Sequence, residues 1–215
     1  MTPVLCLVSD RRRLGASWET AFVERMRAAA RAGVHLIQIR ERDLDGGDLL
    51  RLVRRSVDAV AGTRARVLVN DRLDVAIVAG AHGVHLRADS MPSDRARRLV
   101  PPGFLVGRSV HGVEEARVEG GSGAVDYLVF GHVFDSRSKP GFGPAGLHAL
   151  DAVVHATTVP VLAIGGVSAG GARAVAAAGA AGIAAIGLFS DGPLGDLRGV
   201  VAAVTGAFDT RGGLT

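Results

Sequence analysis

The stretch Asp126-Tyr127-Leu128-Val129-Phe130-Gly131-His132-Val133-Phe134-Asp135-Ser136-Arg137-Ser138-Lys139 decides how the rest of the chain is read. Asp126 opens it, and the apolar run Tyr127-Leu128-Val129-Phe130 that follows has the length of a buried strand. Gly131 ends that run. Pro140-Gly141-Phe142-Gly143-Pro144 then separates the polar segment from a helical pattern over residues 146–156. Strand, polar loop and helix thus follow one another as a single unit. A histidine, two hydroxyls and a lysine fall inside the loop, where strand ends commonly carry chemistry. Lys139 is the only lysine of the chain; all other basic residues are arginine. A compact ammonium on a flexible stem does not replace a planar guanidinium, so the lone lysine marks this loop as a functional candidate.

Outward from that unit the same pattern recurs. Strands are predicted over residues 4–9, 34–40, 66–69, 83–86, 104–109, 126–130, 160–164 and 182–186. Helices are predicted over 18–32, 46–61, 73–79, 93–100, 113–119, 146–156, 168–178 and 194–208. Alternating strands and helices imply a parallel sheet, and eight pairs imply a closed (β/α)8 TIM barrel. An open doubly wound sheet does not need eight units, and no Gly-x-Gly-x-x-Gly follows the first strand. One domain over residues 1–208 is expected, with 209–215 a disordered tail.

Composition excludes several classes. Aromatic residues are only 4% of the chain, and the arginines are scattered among acidic residues, so a nucleic-acid surface is not expected despite a net charge of +4. The basic balance suits anionic small molecules instead. The charge-free run from Ala174 to Ser190 approaches membrane-span length, but Gly179 and Gly182 break it into a helix end, a turn and a strand. Arg11-Arg12-Arg13 follows the first apolar run and does not precede it, unlike a leader peptide. Cys6 lies inside an apolar strand and has no partner for an internal disulfide, which suits a cytoplasmic location.

In an α/β barrel the strand ends that lead into helices form the catalytic mouth. Gln38, Arg40 and Arg42 stand at the second strand's end, and Asn70 and Asp71 at the third. His85 is on the fourth, with Asp89 and Ser90 beyond it. Ser109 and His111 end the fifth; His132, Ser136, Ser138 and Lys139 follow the sixth. The loops after the seventh and eighth strands often cradle a phosphate with backbone N–H groups. Gly165, Gly166, Ile186 and Gly187, together with Ser136 and Ser138, are therefore expected to bind phosphate.

These residues make the chain recognisable. Gln38-Ile39-Arg40-Glu41, Asn70-Asp71-Arg72, Gly83-Val84-His85-Leu86, Gly107-Arg108-Ser109-Val110-His111, Gly131-His132-Val133-Phe134 and Ala163-Ile164-Gly165-Gly166 together resemble the thiamine phosphate synthase superfamily over nearly the whole length. The resemblance implies one of two activities. A synthase joins a hydroxymethylpyrimidine diphosphate to a thiazole phosphate with magnesium; a tautomerase aromatises a carboxythiazole phosphate without metal. His132 stands where the synthase pattern has proline, and Ser90 where it has a second metal-binding aspartate, so the tautomerase is the expected activity. On that reading no cofactor is needed and His132 moves the proton, its ordinary pKa of about 6.5 lying near working pH. Gln38, Arg40, Arg42, Asn70, Ser109, His111 and Lys139 would contact substrate, Arg40 holding its carboxylate, and Asp71 would cap the next helix. The partner is a small-molecule thiazole phosphate, with neither nucleic acid nor membrane, and a homodimer is admitted. The alternatives are the synthase, in which Asp71 would bind magnesium, and a non-catalytic regulator that binds a thiamine precursor.

Overall fold

The computed structural model describes residues 2–15, 18–135, 141 and 143–209. Eight parallel strands close into one barrel in chain order: β1 (Val4–Val8), β2 (Leu36–Ile39), β3 (Arg66–Asn70), β4 (Gly83–Leu86), β5 (Leu105–Val110), β6 (Tyr127–Gly131), β7 (Val161–Ile164) and β8 (Gly182–Ala185). β8 pairs with β1, so no edge is left open. The expected TIM barrel is the fold. Helices α1 (Trp18–Ala32), α2 (Gly46–Val60), α3 (Leu73–Val78), α4 (Ser93–Leu99), α5 (Val113–Gly121), α6 (Gly146–His155) and α7 (Ala172–Ala177) alternate with the strands. Behind β8 come α8 (Gly187–Ser190) and α9 (Leu197–Phe208).

Three local departures from expectation have simple causes. A 3-10 turn, Arg11–Leu14, follows β1, and α8 follows β8. Neither is long enough to show a period in sequence. α7 begins at Ala172 and not at Ser168, because the Ser168 hydroxyl accepts the Gly171 N–H at 3.2 Å and closes a turn first. The expected tail, apart from Asp209, lies outside the described residues.

Side chains alternate across each strand, which builds two cores. Leu5, Leu7, Ile37, Val67 and Val69 face the helices. Cys6, Val8, Leu36, Leu68, Tyr127, Val129, Leu162 and Ala184 fill the lumen. Gly107 faces the lumen too, where a Cβ would lie 2.1 Å from the Tyr127 ring. The missing side chain on β5 is the space that the ring from β6 fills. Burial pushes the Cys6 thiol up to about 12, so it is a protonated packing group. Among the described residues no helix is long and apolar enough to cross a membrane.

Candidate active site

The same alternation that fills the lumen with Leu36 and Leu68 places Gln38 and Asn70 above them, at the strands' C-terminal ends. There the lumen turns polar and opens into a cavity of about 870 Å³. Gln38 Nε2 donates to Asn70 Oδ1 at 2.9 Å, and both are buried. His85 lies between the Tyr127 hydroxyl at 3.0 Å and Ser109 Oγ at 2.9 Å. Burial, with Arg108 and Arg40 adding repulsion, pulls its pKa down to about 3. His85 is therefore neutral, one ring nitrogen donating and the other accepting, and it fixes the Ser109 hydroxyl at the cavity wall.

One side of the mouth is cationic. Arg40 and Arg42 both line the cavity, and neither side chain makes a hydrogen bond or ion pair with another described residue. Burial, reinforced by neighbouring Arg42, lowers the Arg40 pKa from its ordinary value, although a guanidinium stays charged at any working pH. The backbone beneath is held by a buried stitch between β1 and β2. Glu41 Oε1 accepts the Ser9 hydroxyl at 2.5 Å and the Arg11 N–H at 3.1 Å, while Ser9 Oγ accepts the Arg40 N–H at 2.8 Å. Arg87 follows β4 at the next lumen-facing position after His85 and also lines the cavity.

Asp71 is placed otherwise than expected. It follows lumen-facing Asn70 by one residue, with φ +66°, and does not line the cavity. Nor does it cap α3, whose first turn has no side-chain cap. Its carboxylate accepts the Ser90 hydroxyl and lies 3.8 Å from Arg87 Nη1. Asp89 does line the cavity, and its carboxylate is paired with Arg87.

Across the ring stand the loops after β6, β7 and β8. Gly165, Gly166, Ile186 and Gly187 line the cavity, as do His132 and His111. The expectation for the glycine pair is close approach of backbone to a ligand; the close approach the structure describes is to the loop after β6. A Cβ on Gly165 would lie 2.3 Å from His132 Cβ, and one on Gly166 would lie 2.2 Å from the Asp135 carbonyl. Both have φ in the left-handed region, at +96° and +64°. These glycines seat the β6 loop, which in turn shapes the cradle. His132 shares in that seat: its carbonyl accepts the Ala145 N–H at 2.9 Å. His111 is exposed, and its N–H donates to Glu115 at 2.8 Å. Ser136, Ser138 and Lys139 lie outside the described residues.

Arg13, Arg87 and Asp191 line the cavity and are not among the sequence candidates. Arg13, on the turn after β1, pairs with Asp191 beyond α8, and the pair bridges the first and last strands. The signal was there: Arg11-Arg12-Arg13 follows a barrel strand, as the other candidates do. It was weighed only as a leader-peptide cluster.

The thiamine monophosphate synthase family model matches residues 5–189. The chain is 47% identical over 155 residues to the thiamine-phosphate synthase of Anaeromyxobacter dehalogenans, covering 72% of this chain and 69% of that protein. It is 36% identical over 168 residues to that of Chlorobium luteolum, covering 78% and 76%. Among solved structures, thiamine phosphate pyrophosphorylase from Pyrococcus furiosus superposes with a TM-score of 0.81 at 29% identity, over 99% of this chain and 98% of that one. A 3-hexulose-6-phosphate synthase, at 19% identity and TM-score 0.65, shares the fold. These relationships overturn the expected tautomerase, which rested on a few positions, His132 and Ser90 among them. The relationship over most of the chain is to synthases, and the chain belongs to the thiamine monophosphate synthase family.

Proposed function

We propose that the chain is a transferase that joins a hydroxymethylpyrimidine diphosphate to a thiazole phosphate and releases pyrophosphate. One observation carries this beyond family membership: the mouth has two anion-receiving sides. In a closed ring of eight strands, β2 stands opposite β6 and β3 opposite β7. β4 stands opposite β8, so Arg40 and Arg42 after β2 and Arg87 after β4 line one arc of the mouth, and the loops after β6, β7 and β8 line the arc across the same cavity. A reaction with one phosphorylated substrate needs one such seat; a coupling of two needs both. A volume of about 870 Å³ stands at the upper end of ordinary ligand cavities, which run to about 1,000 Å³.

The chemistry follows from that layout. The thiazole nitrogen attacks the pyrimidine methylene carbon, and the bond from that carbon to the diphosphate oxygen breaks. The electron pair leaves with the diphosphate, so negative charge grows on the leaving oxygens. Arg40 and Arg42 offer planar, charged donors at that side, where the developing negative charge can be met by hydrogen bonds already in place. The loops after β7 and β8 hold the thiazole phosphate through backbone N–H groups. Gln38, Asn70 and Ser109 supply fixed polar contacts between the two anionic ends. No proton leaves carbon in this displacement, so the proton transfer assigned to His132 has no place in it; His132 serves as cavity wall.

The superfamily resemblance implies magnesium. The donor set here does not fit it: the Asp71 carboxylate is engaged by Ser90 and Arg87 and does not line the cavity, and Ser90 brings a hydroxyl in place of a carboxylate. No step is therefore routed through a metal.

Steady-state kinetics of Arg40→Ala tests the layout. Loss of a charged contact of about 1.5–3 kcal/mol corresponds to roughly 10–100-fold in affinity. KM for the pyrimidine diphosphate should rise by that range, with KM for the thiazole phosphate nearly unchanged. Equal rises for both substrates would contradict two separate seats.

A further inference from the structure

The carboxylates that a divalent cation would use are already balanced by a side chain. Arg87 Nη1 lies 3.8 Å from Asp71 Oδ2, and Arg87 Nη2 pairs with Asp89. Ser90 Oγ accepts the Arg87 N–H at 3.1 Å and gives its one proton to Asp71. Both Asp71 oxygens and the Ser90 hydroxyl are thus turned toward one another and toward a guanidinium. A cation entering here would meet the positive charge of Arg87 at close range and would have to displace it. Among the described residues no group of three or more His, Cys, Asp or Glu side chains could hold a metal ion.

Arg87 itself is well placed for an anion. It lies on the lumen-facing register of β4, two residues beyond His85, and it lines the cavity with Arg40 and Arg42. Its partners Asp71 and Asp89 are half-buried and exposed, so the pairing is open to competition from a more highly charged anion. A diphosphate offers more charge than either carboxylate, in a geometry that a planar guanidinium grips with two hydrogen bonds.

We propose that Arg87 takes the place of the divalent cation: with Arg40 and Arg42 it forms a three-arginine seat that binds the diphosphate without metal. Asp71 and Asp89 hold the guanidinium until the diphosphate arrives. The diphosphate's identity as part of a pyrimidine substrate rests on the coupling reaction proposed above; the seat does not.

Calorimetric titration of the full chain with inorganic pyrophosphate, first in EDTA and then in excess magnesium, tests this. Pyrophosphate should bind in EDTA, and magnesium should not tighten it. Arg87→Gln should weaken binding about 10–100-fold, with part of the loss restored in Arg87→Lys. Asp71→Asn should bind at least as tightly as the parent, because it removes a competitor for the guanidinium. A metal site requires the opposite sign for Asp71→Asn. Binding that appears only with magnesium, or that is lost in Asp71→Asn and kept in Arg87→Gln, would overturn the proposal. A coupling assay in the same two buffers separates the two readings. Pyrophosphate binding with no coupling in either EDTA or excess magnesium would leave the seat standing and remove the reaction. Coupling that requires magnesium would do the reverse.

Discussion

His85 has both ring nitrogens committed, to Tyr127 and Ser109, and a pKa drawn down to about 3 by burial and by Arg108 and Arg40. In the unfolded chain a histidine titrates near 6.5. Below that pH the unfolded chain takes up a proton that the native His85 refuses. Its neutral form therefore supports the fold fully above about 6.5, and that support is lost as pH falls toward 3, at roughly 1 kcal/mol per pH unit. Burial lowers His35 and His82 as well, so they act in the same direction. Thermal unfolding between pH 7 and pH 5 should show the midpoint falling with acid, and His85→Gln should make that fall shallower. An equal slope in parent and variant would show that His85 is not the group refusing the proton. At this scale much of the site was legible: strand parity picks out Gln38, Asn70, His85 and Ser109. Asp71 was misread because it stands one residue off that parity. No spacing reveals that Ser90 and Arg87 would claim its carboxylate.

Among the elements, the β6 and β7 loops illustrate how a correct candidate can be chosen for an incomplete reason. Gly165-Gly166 was singled out as backbone made bare for a phosphate. A Cβ on either glycine would meet His132, Phe134 or Asp135, so the missing side chains make room for the β6 loop at the cavity wall. The distinction has a measurable consequence. If the glycine serves loop packing, Gly166→Ala already introduces the offending Cβ, and Gly166→Asp adds little further loss. Overpacking of this kind costs about 1–3 kcal/mol, so both variants should unfold at lower denaturant and show a similarly raised KM for thiazole phosphate. A mild Gly166→Ala beside a severe Gly166→Asp would return the glycine to direct ligand contact. α8 and the turn at Arg11–Leu14 were not legible at all, since elements of four residues carry no period. They bring Arg13 and Asp191 to the mouth and join the first strand to the last.

Over the whole molecule, the repeat of strand and helix was the strongest signal, because eight units of one kind admit few closed arrangements. The ring then dictates which loops meet. It sets the arginines after β2 and β4 on one arc of the mouth and the loops after β6 to β8 on the arc across from it, far apart in sequence and lining one cavity. The choice of activity was less legible, since it hung on a few positions while the relationship to synthases runs over most of the chain. The measurement that bears most directly on the account is an incubation of the purified chain with the pyrimidine diphosphate and the thiazole phosphate, following pyrophosphate and the mass of the joined product together. The account predicts one pyrophosphate for each joined molecule, and neither product when either substrate is left out. Absence of the joined product with both present, or pyrophosphate released at the same rate from the diphosphate alone, would contradict it.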